Sequence, residues 1–373
     1  MKMIDLFCGC GGLSLGLEQS GFSLIFASDI DPICTSTFLY NRNLPEERMF
    51  VGDITNLNKD YENYSSLFED VDLVCGGPPC QGYSMANRQR LIDDPRNNLY
   101  KEYLTFLSSV KPKFFIMENV KGMLNKMGEI IEDIKRILGK DYNVFYDVLN
   151  ARNFGVPQNR ERLIVIGNCV GADSKKIIDN IIENSNEIPS FTLYDAIGDL
   201  PELKPNRIKN NTKEENKNIG YFKIDYKYKK TEFYSFINKT ENIEFLYNHK
   251  NRYNNDRDIE IFRRLPQGAN SLHPSIEDIM PYKKRNGIFK DKYFKLRYDD
   301  VCKTITSHMK FDCNMYIHPT QARGLSPREA ARIQTFPDDF VFCGPQNSWY
   351  KQIGNAVPVK LAKAIGEEVK KHI

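Results

Sequence analysis

Gly76-Gly77-Pro78-Pro79-Cys80-Gln81-Gly82-Tyr83-Ser84 follows directly on Val71-Asp72-Leu73-Val74-Cys75. The earlier stretch is a short apolar run that reads as a buried parallel strand. The later one ends it abruptly. Pro78 and Pro79 fix their own φ and drive the preceding residue toward extended backbone, so the chain leaves the strand as a stiff loop. Open α/β sheets place their chemistry at the carboxyl ends of strands, and here a cysteine occupies that place. Most free cysteines are small core residues. A Pro-Pro-Cys-Gln-Gly turn is a poor place to bury one. Cys80 therefore reads as a nucleophile, the role a thiolate fills once its pKa falls or a base assists it.

Upstream, Lys2-Met3-Ile4-Asp5-Leu6-Phe7 predicts a first strand and Cys8-Gly9-Cys10-Gly11-Gly12 a Gly-rich turn. Leu13, Leu15, Gly16 and Leu17 then follow a helical pattern. Glycine lets the backbone approach a ligand, and a helix N-terminus offers N–H groups to it. Many such turns merely turn. A second strand, Phe22 to Ser28, leads to Asp29-Ile30-Asp31, with Asp29 20 residues after Gly9. That interval lets a carboxylate accept from ribose hydroxyls. Val51-Gly52-Asp53-Ile54 repeats the pattern of an acid just past a strand. Three strand ends bearing Gly, Asp and Asp together describe a nucleoside pocket.

Downstream, Phe114-Phe115-Ile116-Met117 is another apolar strand, ending in Glu118-Asn119-Val120. Ile130 to Leu138 has one apolar helical face, and Tyr142 to Leu149 alternates like a strand. Gln158-Asn159-Arg160-Glu161-Arg162 runs into Leu163-Ile164-Val165-Ile166-Gly167. Period-two spacing would set Gln158, Arg160 and Arg162 on one face. They are either a salt-bridged surface hairpin or polar groups converging on the cleft of Cys80.

The chain's 373 residues suffice for a large domain and a smaller one. With 27% charged and 41% hydrophobic residues, it has an ordinary globular composition. No apolar run approaches the ~20 residues of a membrane span. The N-terminal residues enter a strand at once, so no signal peptide and a cytoplasmic location are expected. Nine cysteines without zinc-knuckle spacing predict neither a disulfide framework nor a metal site. The net charge of +3 is unevenly spread. Positions 205–300 hold 21 Lys+Arg against 14 Asp+Glu, and the remainder holds 31 against 35. A basic segment in a mildly acidic chain fits either a polyanion-binding face or a solvated Lys-rich region. From about Thr192 the composition turns to Asn, Lys and Tyr. Basic and aromatic residues interleave from Tyr221 to Lys230 and from Tyr282 to Lys290, as phosphate and stacking contacts require. Ser326, Pro327 and Glu329 predict a helix opening with a capping box.

These stretches resemble the DNA (cytosine-5) methyltransferases of bacterial restriction–modification systems. The resemblance is carried by Asp5 to Gly12, Asp29-Ile30-Asp31, Gly52-Asp53-Ile54, Gly77 to Ser84, Glu118-Asn119-Val120, Gln158 to Arg162, Leu325 to Arg332, and Gln352 to Val357. All stand in the family's order and span nearly the whole chain outside the basic segment. The resemblance implies an α/β fold: a Rossmann-like S-adenosylmethionine-dependent methyltransferase sheet with a second, smaller target-recognition domain. The expected division is a catalytic and cofactor-binding domain at 1–191, target recognition at 192–341, and a segment at 342–373 returning to the catalytic domain. The final helix is expected beside the first strand.

The same resemblance implies a cofactor site for S-adenosylmethionine. Phe7 would lie near the adenine and the turn of Gly9, Gly11 and Gly12 would hold the methionine end. Asp29 would bind the ribose with Ile30 beside it, Asp53 the adenine amino group, and Ile54 the ring face. Pro79, Leu99, Asn355 and Val357 would complete the pocket. Cys80 would add to carbon 6 of a flipped-out cytosine, making carbon 5 nucleophilic enough to take a methyl group. Glu118 would stabilise charge at ring nitrogen 3 if burial raises its pKa. Arg160 and Arg162 would orient base, phosphate and Glu118. Gln81, Ser84 and Gln158 would meet the DNA. The implied partner is double-stranded DNA, with a separately acting restriction endonuclease and a monomeric state. The rivals are a tRNA cytosine-5 methyltransferase, a non-catalytic DNA-binding pseudoenzyme and a nucleotide-dependent oxidoreductase. The first lacks a reason for Gln334-Thr335-Phe336-Pro337 and the basic insert. The second would be expected to have lost Cys80 or Glu118. The third leaves Pro79-Cys80 and Gln158 to Arg162 without a role.

Overall fold

The structure, a computed structural model, describes residues 1–79, 99–209, 213–281 and 292–373. Cys80, Gln81, Ser84 and the run from Tyr282 to Lys290 lie outside the described residues. The chain forms two compact units: Met1–Gly155, Arg160–Pro189 and Ala356–Ile373 make the first, and Val156–Asn159 with Ser190–Asn355 the second.

The first unit contains β1 (Lys2–Leu6), α1 (Gly12–Ser20), β2 (Ser23–Asp29), α2 (Pro32–Tyr40), β3 (Met49–Val51), α3 (Ile54–Lys59) and β4 (Leu73–Gly76). It continues with α4 (Leu99–Val110), β5 (Phe114–Val120), α5 (Met127–Leu138) and β6 (Asn143–Asn150). After β7 (Gln158–Asn159), which clusters with the second unit, come β8 (Glu161–Asn168) and α6 (Ser174–Asn184). One seven-stranded sheet has the order β3-β2-β1-β4-β5-β8-β6. Strands β1 to β5 pair in parallel, and β8 is antiparallel to both β5 and β6. The parallel strands are apolar runs because both faces are covered. Met3, Ile4, Leu6, Val74, Phe115 and Met117 are all fully buried.

Strand order reverses at β1, which has β2 on one side and β4 on the other. That is the switch point where ligands bind beyond the strand ends. Register brings the expected motifs level. Leu6 pairs Gly76, and Gly76 pairs Met117, so the turns after β1 and β4 leave the sheet beside Glu118. On the other flank Asp29 pairs Val51. Asp31 and Asp53 cap the helices that follow, accepting from Ile33 N and Cys34 N and from Thr55 N.

The second unit contains α7 (Leu193–Ile197), β9 (Gly220–Asp225), α8 (Glu232–Ile237), β10 (Phe245–Lys250), α9 (Asp256–Arg264) and β11 (Cys302–Lys303). It ends with α10 (Pro327–Ile333) and α11 (Gln346–Asn355), before α12 (Val359–Val369) rejoins the first unit. β9 and β10 form an antiparallel ribbon, and β11 pairs with β7. Ile261, Phe262, Leu265, Ile276, Met280, Tyr293 and Ile317 build one apolar core. Charged groups brace the rest. Arg332 binds Asp338 and Asp199, and Arg323 makes a two-pronged contact with Glu329 at 2.6 and 2.8 Å. The expected capping box of Ser326 and Glu329 opens α10.

Two expectations shift. Residues 342–355 cluster with the second unit, although the returning segment was expected to start at 342. Gln346 donates to Lys250 O at 2.8 Å and Trp349 packs on Phe222, which ties α11 there. The returning helix α12 packs against α1, the helix after β1. The two approach so closely that a Cβ at Gly16 would lie 2.3 Å from Val359 O.

Candidate active site

Beyond β1 the chain turns through two left-handed residues, Phe7 (φ 56°) and Gly9 (φ 53°), before Gly11 caps α1. Asp29 holds this turn: its carboxylate accepts from Gly9 N and Asp31 N, both at 2.8 Å. Arg42 fixes the far side, donating to Gly11 O at 2.8 Å while stacking on Phe38 and pairing with Glu18. A Cβ placed at Gly9 would meet no atom within 4 Å among the described residues. Next to it, Ile30 stands 67% exposed just beyond β2, an apolar surface suited to a flat ligand. Asp53 gives one oxygen to Thr55 N, and its other oxygen has no hydrogen-bond partner among the described residues. Ile54 is buried, while Pro79 and Leu99 are half-buried. Carboxylates and apolar side chains at successive strand ends are the kinds of group that meet ribose hydroxyls, an amino group and a flat ring.

The cysteines of this region are unsuited to attack. Burial pushes the Cys8 and Cys75 thiols well up, and that of Cys10 to about 12. Among the described residues no cluster of His, Cys, Asp and Glu could hold a metal ion.

Glu118 lies two residues before the end of β5, beside the Gly77 turn; a Cβ at Gly77 would lie 3.2 Å from its Oε2. Its Oε1 accepts from Arg162 Nε at 2.9 Å. Burial raises the Glu118 pKa above the usual carboxylate range, and Arg162 and Arg160 pull against that rise without cancelling it. Neighbouring Asn119 donates to Pro78 O at 2.7 Å, tying the Pro-Pro turn to the strand that carries the acid. Arg160 is fully buried and donates to Ala356 O at 2.8 Å, while Asn150 accepts from its backbone N–H.

Gln158 corrects an expectation. It was set on one face with Arg160 and Arg162, toward DNA. Instead it belongs to β7, is completely buried, donates to Gln334 Oε1 at 2.8 Å and accepts from Ile305 N at 2.6 Å. Both ends of its amide are committed inside the second unit, so it braces that unit and is not available to DNA. Asn355 closes α11 as an exposed residue of the second unit, and Val357 is buried in the first.

Over residues 1–371 the chain matches the C-5 cytosine-specific DNA methylases. It belongs to that family. The type II methyltransferase M1.HphI of Haemophilus parahaemolyticus is 34% identical, over 100% of this chain and 87% of the relative. M.DdeI of Desulfomicrobium norvegicum is 33% identical, over 99% and 88%. A solved structure described as a DNA modification methyltransferase of an E. coli prophage superposes with TM-score 0.74 at 25% identity, covering 100% and 99%. The enzyme is thus an S-adenosylmethionine-dependent DNA (cytosine-5) methyltransferase, and its relatives are restriction–modification methylases.

Arg42, Asn119 and Asn150 were missed from sequence. Each binds a backbone group 10 to 41 residues away, and no local periodicity announces such a bond. The one available signal was position: Asn119 adjoins Glu118 in a motif already singled out.

Proposed function

We propose that this methylase modifies carbon 5 of a flipped-out cytosine within a short sequence of duplex DNA, with Cys80 as nucleophile. The observation that carries the reading is the half-buried Glu118, its carboxyl raised in pKa by desolvation, held by Arg162 and adjoining the turn that leads to Cys80. The sulfur of Cys80 adds to carbon 6, and the electron pair of the 5,6 double bond shifts onto carbon 5. Charge developing at ring nitrogen 3 is met by the proton of Glu118, with Arg162 and Arg160 orienting that carboxyl. S-adenosylmethionine supplies an electrophilic methyl group to carbon 5. Loss of the carbon 5 hydrogen to a base then restores the double bond and expels the Cys80 thiolate. Gly9, Gly11, Gly12, Asp29, Ile30, Asp53 and Ile54, with Phe7, Pro79, Leu99, Asn355 and Val357, would hold the methyl donor. Gln81 and Ser84 would support the space the base vacates.

The second unit would read the target sequence, within the proposed bounds 192–341. A separate restriction endonuclease, a cytoplasmic location and a monomeric state complete the proposal; among the described residues no helix is long and apolar enough to cross a membrane. Bisulfite sequencing of DNA from cells expressing the protein should show one short motif fully methylated. Cells expressing Cys80→Ser should show none, although the variant still binds DNA. Methylation persisting in that variant would sink the nucleophile assignment.

A further inference from the structure

In the second unit, Ser307–Lys310 form a tight helical turn that ends in Phe311. Met309 is buried beneath it, yet Phe311 stands 64% exposed. A single exposed apolar side chain is ordinary on a protein surface. This one is held in place. Arg252 donates to Met309 O at 2.6 Å and to Phe311 O at 2.7 Å, so one guanidinium clamps both carbonyls of the tip. The Arg252 guanidinium in turn lies 5.7 Å from the Tyr350 ring centre. The turn's start is seated on α11: a Cβ at Gly354 would come within 2.2 Å of Thr306 C and Ser307 N. Thr306 Oγ1 meets Tyr316 OH at 3.1 Å, and that hydroxyl donates to Thr304 O at 2.7 Å. Around the ring stand Lys310, with Nζ 4.7 Å from its centre, and His308, 5.4 Å away and exposed.

We propose that this turn is a preorganised DNA-contacting tip, in which Phe311 stacks on bases or sugars and Lys310 and His308 meet the flanking phosphates. The inference rests on the DNA-methylating reading and adds a contact that neither cofactor nor chemistry requires. A rigid aromatic loses little freedom on stacking, and the Lys310 ammonium supplies sequence-independent attraction.

The test is equilibrium binding of the full chain to a fluorescein-labelled pool of random-sequence short duplexes, alongside S-adenosylmethionine binding by calorimetry. Phe311→Ala should weaken duplex binding by roughly 5- to 100-fold, the range base–aromatic stacking supports. Phe311→Trp should restore it, and cofactor affinity and thermal unfolding should match the wild type in both. Unchanged duplex affinity in Phe311→Ala overturns the proposal. So does an unchanged affinity accompanied by a shift in sedimentation, which would make the tip a contact between copies of the chain. Wild-type binding without methyl transfer would instead count against the methylation reading and leave this test standing on its own readout.

Discussion

Glu118 is a carboxyl under opposed influences: burial favours its neutral form, and two guanidinium groups favour its charged form. Burial prevails, which suits a group that must present a proton to a ring nitrogen. Replacing it with Gln keeps shape and hydrogen bonding but removes the transferable proton. Glu118→Gln should therefore lower kcat by ~10²–10⁴ while leaving cofactor affinity unchanged. In single-turnover methyl transfer, the wild-type rate should fall as pH rises through the raised Glu118 pKa, and the Gln variant should lose that fall. An identical alkaline limb in both would assign the titration to another group. Glu118 and its neighbours were readable because they end an apolar strand. Gln158 was misread because period-two spacing assumes one continuous strand, whereas the chain passes from β7 to β8 through Arg160 and sends the two sides into different units.

At the scale of elements, the strand ends were the legible part. Apolar runs stopped by Gly or Asp locate β1, β2 and β4 to within a residue or two, since both sheet faces must be apolar, whereas β5 continues three residues past its apolar run to Val120. The return of the last helix was expected from the resemblance, but its seat against α1 was not legible. The α1–α12 contact joins residues about 350 apart, and its key feature is the absence of a side chain at Gly16. A methyl group there would press on backbone, which cannot rotate away as a flexible side chain could. Gly16→Ala should cost at least roughly 1–3 kcal/mol. Urea denaturation followed by circular dichroism would register it as a lowered midpoint with unchanged slope, and an unmoved midpoint would mean the helices sit further apart.

Across the whole molecule the two units carry buried ionisable groups of opposite pH sign. In the first, burial raises Asp5 to about 7 from an ordinary 3.8, so the folded state binds its proton more tightly. That contribution is fully present at low pH and is lost as pH rises from about 4 through 7. In the second, burial lowers His249 to about 4 and His318 to about 3. These stay neutral when folded, so the second unit loses stability as pH falls below about 6.5. Acidifying from pH 7 to 5 should raise the calorimetric transition of the first unit and lower that of the second. Asp5→Asn should diminish the first shift and leave the second unchanged, removing up to about 1.4 kcal/mol per pH unit within its window. Transitions that move together would refute the opposition.

The pairing of α1 with α12 also imposes a schedule on synthesis. A ribosome delivers α1 near the start and its partner only after more than three hundred further residues. Throughout that interval the first unit is unfinished, and by its end every residue of the second unit has been made. Methylating competence should therefore arrive as a late, single step once α12 has been made, and a stalled chain lacking α12 would offer its exposed α1 surface to chaperones.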